Sequence, residues 1–181
     1  YAKAKVDAEL MAYRWGDETH VEVVSCNPCH VLGPLLSPTQ LGNGVLWQSR
    51  IAAMLKGENG HDGRGDGLWN VVDVRNIAQA QRLMAESTTV SNRSRFNLVA
   101  TDRSGELSMR EMRDTLQSLF PQFDVCGGWE PPETKNRPRA KCTKAIRELG
   151  LQTFTATATL KATVDSLLVF GLVNPKLRAS M

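Results

Sequence analysis

Small and apolar residues recur at helical spacing from the first residues of the chain. Ala4, Ala8 and Ala12 supply small side chains suited to close packing, and Val6, Leu10 and Tyr13 form an apolar stripe beside the row Tyr1, Lys5 and Glu9. This pattern predicts a helix ending near Trp15-Gly16, where glycine suits a C-cap. After the polar turn Asp17-Glu18-Thr19, the β-branched centre of His20 to Pro28 predicts a buried strand stopped by proline, followed by a turn-rich loop from Val31 to Pro38. Val45 to Leu55 has a helix-like pattern, and Arg95 to Ala100 reads as a strand. Ser108 to Phe120 reads as a helix, with Ser108 capping and Glu111 at the capping-box position. A last helix is expected from about Ala158 to Phe170, ending at Gly171 with Pro175 beyond.

The first candidate chemistry lies in the first turn. A helix places the Tyr1 phenol and the Lys5 ammonium on one face, about one turn apart. A phenol is a poor proton donor at neutral pH, but an adjacent cation and a helix N-terminus both favour its ionised form. The chemistry implied is proton transfer to or from an alcohol oxygen. Taken alone the spacing is weak, and a solvated helix face reads equally well.

The blocks that follow carry a resemblance. Tyr-x-x-x-Lys-x-x-Ala-Glu at Tyr1 to Glu9, then a strand, then Asn27-Pro28-x-x-Val31-x-Gly33-Pro34, resemble the extended short-chain dehydrogenase/reductases. That group contains epimerases, dihydroflavonol reductases and cinnamoyl-CoA reductases, within the NAD-dependent epimerase/dehydratase superfamily. Leu68 to Ala80 is similar to the family's Phe-Val-Asp-Val-Arg-Asp-Val-Ala-x-Ala segment, and Lys144 to Leu151 is similar to its Lys-Ala-x-x-Glu-Leu-Gly-Phe close.

The resemblance implies an α/β fold, the C-terminal portion of a Rossmann-like doubly wound sheet plus the small substrate-side lobe. Residues 1–37 are then expected to hold the catalytic helix, a strand and the nicotinamide-side loop, and residues 38–181 the mixed substrate-side lobe with the last strands and helices. It implies an NAD(P)-dependent oxidoreductase acting on a CH–OH or carbonyl group, with NAD or NADP as cofactor and a small-molecule carbonyl or alcohol as substrate. Tyr1 is the implied proton donor. Lys5 is implied to assist it and to hold the nicotinamide ribose, while Pro28 and the backbone around Val31 pack beside the nicotinamide. The glycine-rich turn that holds the cofactor pyrophosphate in this family is not found here, so the chain is expected to be the C-terminal half of such an enzyme and inactive alone. As such, it is expected to expose apolar surface and an unpaired strand edge. Two alternatives stand beside the reductase: a nucleotide-sugar epimerase or dehydratase of the same superfamily, and a non-catalytic remnant that uses the fold as an interaction surface.

Several features depart from the family. Asn76 stands where Asp is common, Cys29 and His30 occupy positions often apolar or small, and Gln40, Gly42 and Asn43 match no reductase subgroup, which leaves the substrate open.

Composition narrows the classes without naming one. The chain has 181 residues, 41% apolar and 23% charged, with a formal net charge of +3. That balance is expected of a cytoplasmic protein, and no run approaches the roughly eighteen apolar residues of a membrane span. Cys26, Cys29, Cys126 and Cys142 read as reduced thiols. Cys26-x-x-Cys29-His30 formally matches a haem-attachment pattern or half a zinc site, but no second Cys-x-x-Cys completes a metal centre, and none is expected. The glycine-dense run from Gly57 to Gly67 lacks phosphate-loop spacing and reads as a surface loop, with Arg64-Gly65-Asp66 inside it. Asn92-Arg93-Ser94 would be a glycan site only in an extracellular setting. The basic run Lys135, Arg137, Arg139, Lys141, Lys144 and Arg147 has no interleaved aromatics, so a solvated face is expected in preference to a nucleic-acid site. Trp129 is read as anchoring an ordered loop near the substrate. Assembly as a homodimer is left open.

Overall fold

The computed structural model describes residues 1–41, 47–58, 68–102, 106–127 and 140–179. The glycine-dense run beyond Glu58, Gly42, Asn43, Trp129, Lys135, Arg137 and Arg139 lie outside the described residues.

Among the described residues five strands and six helices follow one another as α1 (Ala2–Thr19), β1 (Ser25–Pro28), β2 (His30–Leu32), α2 (Trp47–Leu55), β3 (Leu68–Asp73), α3 (Val74–Glu86), β4 (Arg95–Leu98), β5 (Glu106–Ser108), α4 (Met109–Leu119), α5 (Thr143–Leu149) and α6 (Ala156–Val169). A 3-10 turn, Pro38–Leu41, precedes α2. β1 pairs parallel with β4. β2 pairs parallel with β3, which pairs antiparallel with β5 on its other side. Single bonds link the two ladders, with Cys29 N–H donating to the Leu98 carbonyl at 3.1 Å and Ala100 N–H to the Val71 carbonyl at 2.8 Å.

Strand periodicity divides the core in two. Val71 and Val72 are both buried, and successive strand residues point to opposite faces. Val71 joins the larger cluster, which Ile51, Met54, Met112, Leu116, Leu160 and Leu167 share from α2, α4 and α6. Val72 joins the smaller one, built with Phe96, Leu98, Ala145 and Leu149. The capping box of α4 forms as its sequence predicts: Glu111 N–H donates to the Ser108 hydroxyl, and Ser108 N–H to the Glu111 carboxylate.

The first helix departs from expectation at both its end and its face. It runs on to Thr19 and closes at His20, whose φ of 57° puts it in the left-handed region. Gly16 is not the cap. It is the buried point of closest approach, where a Cβ would meet Val23 Cγ2 at 2.6 Å and the Val21 carbonyl at 2.7 Å. Of the expected apolar stripe only Tyr13 turns inward, with Glu9 and Gly16, while Val6 and Leu10 are exposed, as are Met11 and Trp15. A carboxylate can face the sheet because an arginine on β4 meets it, as described below. The strand expected from His20 is ordered as β only from Ser25, and α6 starts two residues before its expected start, where the Thr155 hydroxyl accepts from Ala158 N–H. Among the described residues β1 has a strand neighbour on one side only. No helix among them is long and apolar enough to cross a membrane.

Candidate functional site

The Val-x-Gly-Pro turn after β2 is held from α6. Gly33 N–H donates to the Thr163 hydroxyl at 2.8 Å, and Leu35 N–H to the Ser166 hydroxyl at 3.0 Å. Gly33 has φ of 114°, and a Cβ there would sit 3.0 Å from Asp73 Oδ1, so only glycine allows β2 to leave the sheet at this angle. Asp73 itself is fully buried and forms a two-pronged ion pair with Arg75, at 2.9 and 2.7 Å, while accepting the Arg75 N–H as the cap of α3. Burial pushes its carboxyl up, but the bonds from Arg75 outweigh this and hold it below the usual carboxylate range. The Arg75 guanidinium stacks over Phe154, 3.8 Å from the ring centre.

Asn76 gives a physical reason for its departure from Asp. Its Nδ2 donates to the Gln152 carbonyl at 2.7 Å and its Oδ1 accepts from Phe154 N–H at 2.9 Å. This buried position needs one donor and one acceptor, which an amide supplies and an ionised carboxylate does not.

The structure brings Tyr1 and Lys5 together. Tyr1 stands at the N-cap of α1 and makes no side-chain cap bond, and Lys5 Nζ lies 5.6 Å from the centre of its ring. Both are exposed, Tyr1 to 96%. Their position relative to the sheet follows from the contacts of the same helix. Gly16 abuts Val21 and Val23, while Tyr13 and Glu9 reach Ser25, so the helix runs antiparallel to β1. From Glu9 back to Tyr1 the helix rises about 12 Å. From Ser25 on to Pro28 the strand rises about 10 Å. Tyr1 therefore arrives level with the carboxyl end of β1, where α/β sheets hold their ligands. Lys5, one turn before Glu9, lies on the face that Glu9 and Gly16 turn to the sheet.

Pro28 is exposed at that edge. Val31, in the middle of β2 beside Val72, packs against the smaller core cluster, so its main chain rather than its side chain faces a neighbour across the edge. Cys26 and Cys29 pack against the same cluster, and burial pushes both thiols up, as it does Cys142. This makes them poor nucleophiles and poor metal ligands.

Two groups had no role assigned from sequence. His30, next to Cys29, is pushed below the usual imidazole range by burial; its Nδ1 accepts the Asn70 N–H at 3.1 Å and its ring meets Trp47 edge-on at 4.5 Å. The second is a tetrad joining α1 to both strands. Glu9 Oε1 accepts from Tyr13 Oη at 3.0 Å, Ser25 Oγ at 2.5 Å and Arg95 Nε at 2.7 Å, and its Oε2 accepts from Arg95 Nη2 at 3.0 Å. Those bonds hold the Glu9 carboxyl down to about 2, Arg95 contributing most. The only sequence signal for the tetrad was a carboxylate inside a conservatively spaced Tyr-Lys motif; Arg95 lies far along the chain.

A dinucleotide can be tested against these residues. A phenol, a cation and a proline-bounded main-chain edge fit a nicotinamide and its ribose. For the pyrophosphate, three of the described helix N-termini are already taken. The N-terminus of α3, which follows a parallel strand, is occupied by the carboxylate of Asp73, that of α4 by Ser108 and Glu111, and that of α6 by Thr155 and Asp102.

Comparison with known proteins places this arrangement. Residues 1–98 match the model of the NAD dependent epimerase/dehydratase family. Cinnamoyl-CoA reductase 1 of Arabidopsis thaliana is 32% identical over 97% of this chain and 48% of its own length. Among solved structures, UDP-glucose 4-epimerase from Thermotoga maritima, with UDP-glucose, superposes with a TM-score of 0.71 at 22% identity, covering 93% of this chain and 53% of the other. The yeast methylglyoxal/isovaleraldehyde reductase complexed with NADPH gives 0.65 at 19% identity, over 91% and 53%. The chain spans about half the length of the curated relatives it matches. The fold is the Rossmann-like α/β arrangement that these structures share.

Proposed function

This chain belongs to the NAD dependent epimerase/dehydratase family, and we propose that it carries the proton-transfer and nicotinamide-side residues of an NAD(P)-dependent carbonyl reductase. The observation that carries the reading is the Lys5 ammonium 5.6 Å from the Tyr1 ring, at the end of a helix that delivers both to the carboxyl edge of β1. The curated relatives, a cinnamoyl-CoA reductase at 32% identity among them, are named as reductases, which favours reduction and an aromatic thioester or aldehyde as the carbonyl substrate. Either NAD or NADP serves the argument.

A nicotinamide, when bound, supplies hydride to the carbonyl carbon. Tyr1 Oη donates the proton that the carbonyl oxygen needs as negative charge grows there. Lys5 stabilises the phenolate left on Tyr1 and offers N–H donors to ribose hydroxyls. Pro28 bounds the ring's side of the edge, and the main chain about Val31 provides polar groups for a carboxamide. The chain's own dense core keeps this edge rigid through the bonds from α6 to Gly33 and Leu35.

Tyr1→Phe in the full-length protein tests the assignment. Turnover of NADPH with an aromatic aldehyde is expected to fall about 10²- to 10⁴-fold, with cofactor binding retained. Unchanged turnover removes Tyr1 from the mechanism. Equal loss of cofactor binding and turnover would point instead to a structural role.

A further inference from the structure

Tyr1 and Lys5 precede on α1 the residues that bond to the sheet. Among the described residues Glu9 is the first of α1 that is not exposed and that bonds to β1 and β4. Beyond it, attachment comes from Tyr13, from Gly16 against Val21 and Val23, and from Asp17, which pairs with Arg93. Glu9 differs from these in spanning three elements at once, since Ser25 belongs to β1 and Arg95 to β4, and these two residues are register partners across the ladder. Its side chain is 17% exposed, so its bonds are shielded more than those of an ordinary surface pair.

We propose that Glu9 is the positioning residue of this site, fixing the rotation and axial register of α1 on β1 and β4 so that Tyr1 and Lys5 meet the Pro28 edge in one geometry. The inference rests on the reading of Tyr1 as proton donor. Tyr1 lies about 12 Å along the helix from Glu9 and about 18 Å from Tyr13, so Glu9 is the anchor nearer the reacting group. A misplacement of about 1 Å at a reacting group costs about 10²-fold in rate. The Glu9 carboxylate accepts four hydrogen bonds from three residues, which restrains both rotation and sliding; a pair with Arg95 alone would restrain neither well.

The test compares Glu9→Ala, Glu9→Gln, Ser25→Ala and Tyr1→Phe in the full-length protein. Amide hydrogen exchange is read over residues 6–12 of α1 and, as a control, over residues 160–167 of α6. Steady-state kcat and KM are read with NADPH and an aromatic aldehyde. For Glu9→Ala we expect exchange at 6–12 to speed about tenfold with the control unmoved, and kcat to fall about 10²-fold with KM within about threefold. Glu9→Gln keeps the side-chain shape and one acceptor oxygen but turns an amide donor toward Arg95, so it should recover part of both. Unchanged exchange at 6–12 in Glu9→Ala overturns the proposal, as does unchanged kcat in Glu9→Ala where Tyr1→Phe abolishes turnover. Should Glu9→Ala raise exchange in the control segment too, Ser25→Ala decides: a kcat loss of about three- to tenfold supports the proposal and no loss overturns it. If Tyr1→Phe turns over normally, the proton-donor reading fails by itself, and the exchange data still show whether Glu9 fixes α1.

Discussion

α1 and α6 are laid against different strands, α1 reaching β1 and β4 and α6 lying on β2 and β3, and they are attached by opposite means. α6 buries Ala156, Thr159, Leu160, Thr163, Val164, Ser166 and Leu167, and its hydroxyls bond inward to its own carbonyls and to the Gly33–Leu35 turn. α1 buries Gly16 alone and reaches the sheet through a polar tetrad. Apolar burial is proportional to area and tolerant of small shifts, whereas a charged network is directional. Within this chain α6 is held by apolar area, and α1, which carries Tyr1 and Lys5, by directional bonds.

The contrast can be broken first at α6. Leu160→Ala, at a fully buried position of the larger cluster, is expected to cost about 2–5 kcal/mol, read as a lowered urea midpoint, while the Tyr1–Lys5 geometry stays as it is. A loss under about 1 kcal/mol would show that α6 is not the scaffold helix. Next, Asn76→Asp replaces the donor facing the Gln152 carbonyl with a second acceptor and is expected to cost about 1–3 kcal/mol in the segment leading into α6. Thermal melts of this variant should show the loss at pH 7, where the new carboxyl is charged.

On the α1 side, Gly16→Ala sharpens the comparison. Alanine favours a helix over glycine by about 1 kcal/mol, but its Cβ has no space beside Val23 and the Val21 carbonyl, and overpacking of this kind costs about 1–3 kcal/mol. The net stability change is expected to be small and unfavourable, with faster amide exchange confined to α1. Faster exchange in α6 as well would contradict the separation drawn here.

The smallest effect is a pH dependence. Glu9 is held at about 2 in the folded chain against a usual value of 4.5, so its stabilisation is complete above about pH 4.5 and is lost as pH falls towards 2. Because Arg95 is 59% exposed, solvent reduces the effect to about 1 kcal/mol. Urea midpoints should therefore separate the unaltered chain from Glu9→Gln at pH 7 and bring them closer at pH 3. An equal gap at both pH values would mean that the charge contributes nothing.

Local chemistry was legible in the sequence. The capping box at Ser108 and Glu111, the left-handed Gly171 past the last helix, and the one-turn spacing of Tyr1 and Lys5 are set by residues close along the chain. The role of Gly33 was visible only as part of a motif, since the reason for glycine there is the Asp73 carboxylate, brought close by the pairing of β2 and β3. Val6 and Leu10 were legible as apolar positions, but the inward turn of Glu9 was not, since nothing near it in sequence announces Arg95. Side chains determine which helices and turns can form, through propensity and capping that act over a few residues. Which face of a helix turns inward, and which buried carboxylate is tolerated, depends on partners delivered by strand pairing from far along the chain, and tertiary structure alone decides those.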